Sequence, residues 1–356
     1  MASIKMDRMS LNCRFIALCF ALTVAILPAA RAQPLRIAGP TMGTTFQVKI
    51  VDSSPRVESS IRADIDVLLA DIDHRLSTYR QDSEISRFNR TAANKWFAVS
   101  PDTAAILAVA KEYHRQTNGA LDVTVGPLVR LWHFGPETIA QAKSAAEIVP
   151  PGEESLAAAR ELVGCEKLEV RLDPPALRKR VAGLEIDLSS IGEGYAIDRI
   201  AELLMKRGCE NFLVELGGEV RASGRGPGSR AWRIAIQRPD SGQPRAQAFV
   251  ELSNAAVATS GDYHRYFEHN GRRYSHIIDP TTGRPIEHRL AAVTVAADEA
   301  LVADAWDTAL LVLGPERGFQ SAVQHDIAAL FIARDGERFI ARETPAWRER
   351  FAAANQ

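Results

Sequence analysis

Two adjacent glycines, Gly217 and Gly218, stand between alternating apolar runs at 211–216 and 219–223, and this feature narrows the fold more than any other. A two-residue glycine connection joins strands that run antiparallel, because parallel strands need a crossover of a dozen or more residues. Further strands are expected at 45–51, 184–188, 232–237 and 247–252. Helices are expected between them. Residues 57–76 place Ile61, Ile65, Leu68, Leu69, Ile72 and Leu76 at helical spacing, and the Ala-rich run 103–117 stops at Asn118-Gly119. Residues 195–206 carry Ala196, Ile200, Leu203 and Leu204 on one face, behind a turn at Gly192–Gly194. Hairpins mixed with helices argue against a doubly wound sheet, in which strand and helix alternate throughout. The expected class is α+β, with mixed or antiparallel sheets and packed helices. The polar, Pro-bearing stretch 136–154 reads as an insertion or a surface helix rather than a linker between domains.

The first 32 residues follow a different logic. Lys5, Arg8 and Arg14 precede an apolar run at 15–27, and Ala30-Arg31-Ala32 stands before Gln33, the order of a secretory signal with a small-x-small cleavage site. The run is shorter than the roughly 20 residues that span a bilayer. Cleavage after Ala32 is therefore expected, with a single domain over 33–356 in the periplasm. Association with the inner membrane stays open, although Cys19 lies inside the apolar run and is a poor lipid-attachment cysteine. Cleavage removes four basic residues and one acid, so the remaining chain is net acidic and implies no nucleic-acid partner. Cys165 and Cys209 remain, either as a disulfide or as two buried thiols.

Three short motifs carry chemistry. In ADAWDT (303–308), Asp304, Asp307 and Thr308 fall at i, i+3 and i+4, so a helix presents three hard oxygens on one face. Such a face suits Mg²⁺, which is usually held by one or two carboxylates together with substrate phosphates. The plainer reading is a solvated acidic face over Trp306, Leu310 and Leu311, but a helix-interior threonine does little for solvation. In GEGYAI (192–197), two glycines open a helix whose free N–H groups suit a phosphate, flanked by Asp187 and Glu193. The motif matches neither the dinucleotide nor the nucleoside-triphosphate fingerprint, so a simple turn is an equal reading. His276, in SHIIDPTTGRP (275–285), sits at the end of a strand before an Asp-Pro turn, where catalytic groups are commonly exposed; a satisfied structural histidine is the alternative.

Taken in order, MGTTF (42–46), LSTYRQDSEISRFN (76–89), GALDVTVGPLVRLWHFG (119–135), DLSSIGEGYAID (187–198), VELGGEV (214–220), SGDY (260–263), SHIIDPTTGRP and ADAWDT resemble one family. The chain is similar to the bacterial FAD:protein FMN transferases, the ApbE-like flavin transferases, from about Met42 to Gly314. The resemblance implies an α+β domain that binds FAD as substrate, uses Mg²⁺ to cleave its pyrophosphate, and attaches FMN through a phosphoester to a Thr or Ser of an acceptor, releasing AMP. It implies that Met42, Tyr79, Ala120, Leu121, Asp122, Asp187, Glu193 and Ile278 line the FAD site. The cation falls to Ser190, through its backbone carbonyl, with Asp304, Asp307 and Thr308. Whether Asp307 binds by carboxylate or carbonyl is left open. Acceptors are expected among flavoprotein subunits of exported electron-transfer systems. His276 is the candidate base, since an imidazole with an ordinary pKa near 6.5 suits proton transfer at neutral pH. An FAD pyrophosphatase and a non-catalytic FAD-binding protein are the competing functions.

Overall fold

The structure, a computed structural model, describes residues 34–51, 55–136, 148–240, 245–263 and 265–352. Its frame is a sheet of eight strands: β1 (Leu35–Thr41), β2 (Thr44–Ile50), β3 (Phe212–Leu216), β4 (Glu219–Ser223), β5 (Ala255–Gly261), β6 (Leu290–Ala297), β7 (Ala328–Asp335) and β8 (Arg338–Glu343). Their order across the sheet is their order in the chain. Each neighbouring pair is antiparallel, and the glycine pair joins β3 to β4 as the sequence requires.

Side chains alternate between two cores because strand residues point to opposite faces in turn. Phe212, Val214 and Leu216 of β3 enter one core while Leu213 enters the other. Val293 and Val295 of β6 likewise oppose Ala292 and Ala296. Burial on both faces explains why β6 reads LAAVTVAA rather than as a polar–apolar alternation.

Helices α1 (Pro55–Leu76), α2 (Glu84–Asn89), α3 (Pro101–Gln116), α4 (Gly126–Leu131), α5 (Glu153–Arg160), α6 (Gly192–Lys206), α7 (Ala300–Gln324) and α8 (Pro345–Arg350) complete the main elements. The starts of α2 and α3 are fixed by Ser83 and Ser100, whose hydroxyls accept from Ser86 N–H and Thr103 N–H. The next pair, α6 and α7, sets up the site. A Cβ on Gly194 would lie 2.6 Å from the Ala300 carbonyl oxygen, so only glycine allows this approach. Asp198 of α6 accepts from Ala300 N–H and Leu301 N–H at 2.9 Å each, which caps α7 from a neighbouring helix. Gly314 (φ 81°) and Pro315 then break α7, leaving 300–313 as the straight stretch that faces the site.

The structure corrects the sequence reading at two points and decides between the alternatives left open for the cysteines. Residues 184–188 form no regular strand. Their backbone makes only an isolated parallel bridge to Val125 and is otherwise held largely by side chains: Asn89 pairs with both the N–H and the carbonyl of Ile186 at 2.8 and 2.9 Å, and Lys179 Nζ donates to the Leu184 carbonyl at 3.0 Å. The helix behind the glycine turn begins at Gly192, so both glycines belong to its first turn. Cys165 and Cys209 are free thiols, the former buried and the latter half-buried. The signal segment 1–32 lies outside the described residues, as does 137–147 of the stretch 136–154.

Candidate active site: an acidic wall facing a histidine

Chain segments far apart in sequence converge on a cleft of about 270 Å³. Of the residues named from sequence, Tyr79, Ala120, Leu121, Asp122, Asp187, Ser190, Glu193, His276, Ile278, Asp304, Asp307 and Thr308 all line it. Met42 is absent from the lining. It occupies the β1–β2 turn at φ 47° and packs under α6, its Cε 3.5 Å from where a Cβ on Gly192 would stand.

One wall is acidic. Asp304 and Asp307 are only 3% and 1% exposed, while Trp306, Leu310 and Leu311 fill the core behind them. A solvated acidic face is therefore excluded. Asp304 Oδ2 accepts from Gly194 N–H at 2.9 Å, so α6 grips α7 at the site itself. The same bond corrects the phosphate-cradle reading of GEGYAI: Gly194 N–H is given to Asp304, and Gly192 N–H to the Leu188 carbonyl at 2.8 Å.

A third carboxylate was missed by sequence reasoning. Glu219 opens β4 directly after the glycine turn, and one of its oxygens lies within 4.8 Å of a carboxylate oxygen of Asp304 and of Asp307. The signal was present in the strand period: Glu219 shares the inward face with Arg221, while Val220 and Ala222 enter the opposite core.

Burial of so many like charges is costly, and the protonation equilibria record it. Burial, opposed by the Gly194 N–H and reinforced by the charge of Glu193, pushes Asp304 up to about 7. Glu193 is also pushed up to about 7, by burial and then by Glu215. Asp307 and Glu219 are raised well above the carboxylate range, each by burial first and then by the charge of Asp304. Among the described residues, Glu219 Oε2 and both carboxylate oxygens of Asp307 are buried without a hydrogen-bond partner. Orphaned oxygens of this kind are expensive unless a cation satisfies them. A hard divalent ion fits this donor set, and Thr308 and Ser190 line the same cleft.

In the lining of the same cleft, His276 lies one residue beyond the strand Arg272–Ser275 rather than within it. Its backbone N–H and its Nδ1 each meet the Arg265 carbonyl at 3.0 Å. A carbonyl only accepts, so Nδ1 carries the proton and Nε2 is the basic nitrogen. Phe134 stands edge-on to the imidazole, with ring centroids 6.3 Å apart.

The floor between the walls is locked by local hydrogen bonds. Asp122 Oδ1 accepts from the Thr124 N–H at 2.8 Å and hydroxyl at 2.6 Å. Asp187 Oδ1 accepts from Ser189 N–H at 2.8 Å, and Asp187 N–H donates to the Val123 carbonyl at 2.8 Å. Tyr79, 52% exposed, leaves an aromatic face at the mouth.

Fold and cleft together define an α+β protein with a histidine and a buried carboxylate cluster lining one cleft. The model of the ApbE family matches residues 42–331, and the chain belongs to this family of flavin transferases. The FAD:protein FMN transferase of Vibrio cholerae is 43% identical over 309 residues, covering 86% of this chain and 90% of that protein. The FAD:protein FMN transferase of Haemophilus influenzae is 38% identical over 340 residues, covering 94% and 96%. The apo form of the Pseudomonas stutzeri flavinyl transferase ApbE superposes with a TM-score of 0.79 at 40% identity, covering 90% of this chain and 97% of that one.

Proposed function

We propose that the chain cleaves FAD and attaches its FMN half, through a phosphoester, to a threonine or serine hydroxyl of an acceptor protein, releasing AMP. The single observation that carries this reading is that His276 and the carboxylate cluster of Glu219, Asp304 and Asp307 line one cleft. The acidic wall, with Thr308 and Ser190, would hold Mg²⁺. Such an ion supplies Lewis-acid neutralisation of pyrophosphate charge.

The chain's own groups account for the remaining steps. Tyr79 at the mouth offers a ring face for a flavin or adenine, and Asp122 and Asp187 are held where they can accept from ring N–H or ribose hydroxyl groups. His276 Nε2 takes the proton of the incoming hydroxyl. Its oxygen forms the new bond to the FMN phosphorus as the bond from that phosphorus to the bridging oxygen breaks, and the bridging oxygen leaves with AMP. The tautomer this requires is the one the Arg265 carbonyl imposes.

Exported flavoprotein subunits of electron-transfer systems are the acceptor class this reading favours, with the chain itself cleaved after Ala32 and working in the periplasm. Among the described residues no helix is long and apolar enough to cross a membrane. Incubation with FAD, Mg²⁺ and such a subunit, followed by peptide mass spectrometry, tests the proposal. FMN on a threonine or serine with one AMP per modified chain supports it. Flavin on cysteine or histidine contradicts it, and free FMN without modified acceptor identifies a pyrophosphatase.

A further inference from the structure

The cleft has six carboxylates on its wall, Asp122, Asp187, Glu193, Glu219, Asp304 and Asp307, and among the described residues that line it one lysine or arginine, Arg265. Arg265 is solvent-exposed, and no carboxylate of the described residues lies within ion-pairing distance of it. The arginines around it are already engaged. Arg273 lies 3.6 Å over the Tyr266 ring and donates to the Asp262 carbonyl, and Arg334 grips the Asp262 carboxylate with two bonds of 2.6 and 2.7 Å. Arg265 spends one guanidinium N–H, from Nη2, on the Phe134 carbonyl at 3.1 Å. That bond ties the guanidinium to the Phe134 carbonyl, beside His276, and among the described residues its other donors have no hydrogen-bonded protein acceptor.

We propose that Arg265 is a further catalytic residue, whose guanidinium binds the non-bridging oxygens of the phosphoryl group being transferred. The assignment rests on the phosphoryl-transfer reading above. A pyrophosphate entering an acidic cleft meets like charge on one wall, and a divalent ion there neutralises it from that side only. Charge that builds on the transferred phosphoryl toward the histidine side needs a donor on that side. Arginine suits it, because its planar fork bonds two phosphate oxygens at once and stays charged at any working pH. The backbone of the same residue orients His276 through its carbonyl. One residue thus ties the base and the anion-binding group into a single rigid unit, anchored to Phe134.

Replacing Arg265 by alanine and by lysine, with FMN transfer measured at saturating FAD and Mg²⁺, tests the inference. Arg265→Ala is expected to lower kcat roughly 10²-fold with KM for FAD changed far less, the pattern of an interaction made mainly in the transition state. Added guanidinium ion is expected to restore at least about tenfold of that loss, and Arg265→Lys to retain part of the activity, since lysine keeps the charge without the fork. The pH dependence of kcat stays that of the parent protein. An unchanged kcat in Arg265→Ala overturns the inference, as does a loss that guanidinium does not rescue and that comes with a displaced pH profile, which assigns the effect to a misplaced His276. Parent protein run alongside separates the two hypotheses: without its own FMN transfer the proposed function fails, whereas with transfer intact only the role of Arg265 is at stake.

Discussion

The two walls of the cleft are built by opposite means. The acidic wall comes from long elements packed in the core, with Asp304 and Asp307 on α7 and Glu219 at the start of β4, and its oxygens are buried, crowded and partly without partners. The histidine part of the lining comes from short irregular chain, where the Arg265 carbonyl orients a half-buried imidazole. Rigid elements hold like charges where isolated loops would let them relax apart. The acidic wall stores unfavourable electrostatics that a cation relieves, whereas the histidine wall needs only a fixed tautomer and access to an incoming chain.

Breaking the acidic wall has the largest expected effect. Asp304→Ala removes a proposed cation ligand and the acceptor for Gly194 N–H, and FMN transfer should fall by about 10³ or more, since a bound cation contributes several kcal/mol to charge stabilisation. The variant should remain folded by circular dichroism. A folded variant with parental turnover removes the cation assignment. On the opposite wall, His276→Ala should lower transfer by roughly 10² to 10⁴, the range for loss of a general base. Its melting temperature should still rise on adding Mg²⁺ as the parent's does, because the imidazole is not among the cation's ligands. Loss of that response would mean that the two walls are not separate devices.

The contrast sharpens with pH. Asp304 and Glu193 are raised in the folded protein to about 7, above their ordinary values near 4, so the folded state binds more protons than the unfolded state in that window. Stability without cation is therefore greatest below about pH 4 as far as these groups are concerned, and it is lost as pH rises through 7. Thermal melts in chelator should show this decline near neutrality. Mg²⁺ at about 100 times its dissociation constant should add roughly 2.7 kcal/mol by mass action. Melting temperatures that climb across pH 5–8 in chelator would contradict the burial account.

The smallest effect concerns the contact between α6 and α7. Gly194→Ala forces a Cβ against the Ala300 carbonyl and should cost about 1–3 kcal/mol of stability in urea melts, as overpacking does. An unchanged midpoint would show that the helices have room to part.

This division between the walls also governs what the sequence reveals. Asp304, Asp307 and Thr308 are legible because one helical period joins them within a single segment. Glu219 belongs to the same cluster through the register of a distant hairpin, and the strand period marks its face without naming its neighbours. The glycine pair at 217–218 announces the antiparallel hairpin, but the eight-strand order follows from pairings that no local pattern encodes. Residues 184–188 look like a strand because they are apolar and alternate; the side chain of Asn89 and the amine of Lys179 take the place of a neighbouring strand. Arg265 lies beyond the SGDY motif in chain whose geometry is set by Phe134 and His276, and no local spacing distinguishes it from a solvated arginine.

The central claim, that the buried carboxylates form a cation site loaded with unfavourable charge, is tested most directly by titrating Mg²⁺ into the chelator-treated protein in a calorimeter, in buffers of different ionisation enthalpy. At pH near 7 the account predicts one cation bound with net release of protons, because a raised carboxylate such as Asp304 must give up its proton to bind it, and weaker binding at pH 5. Binding with no proton release and the same affinity at both pH values, or equal affinity in Asp304→Ala, would contradict it.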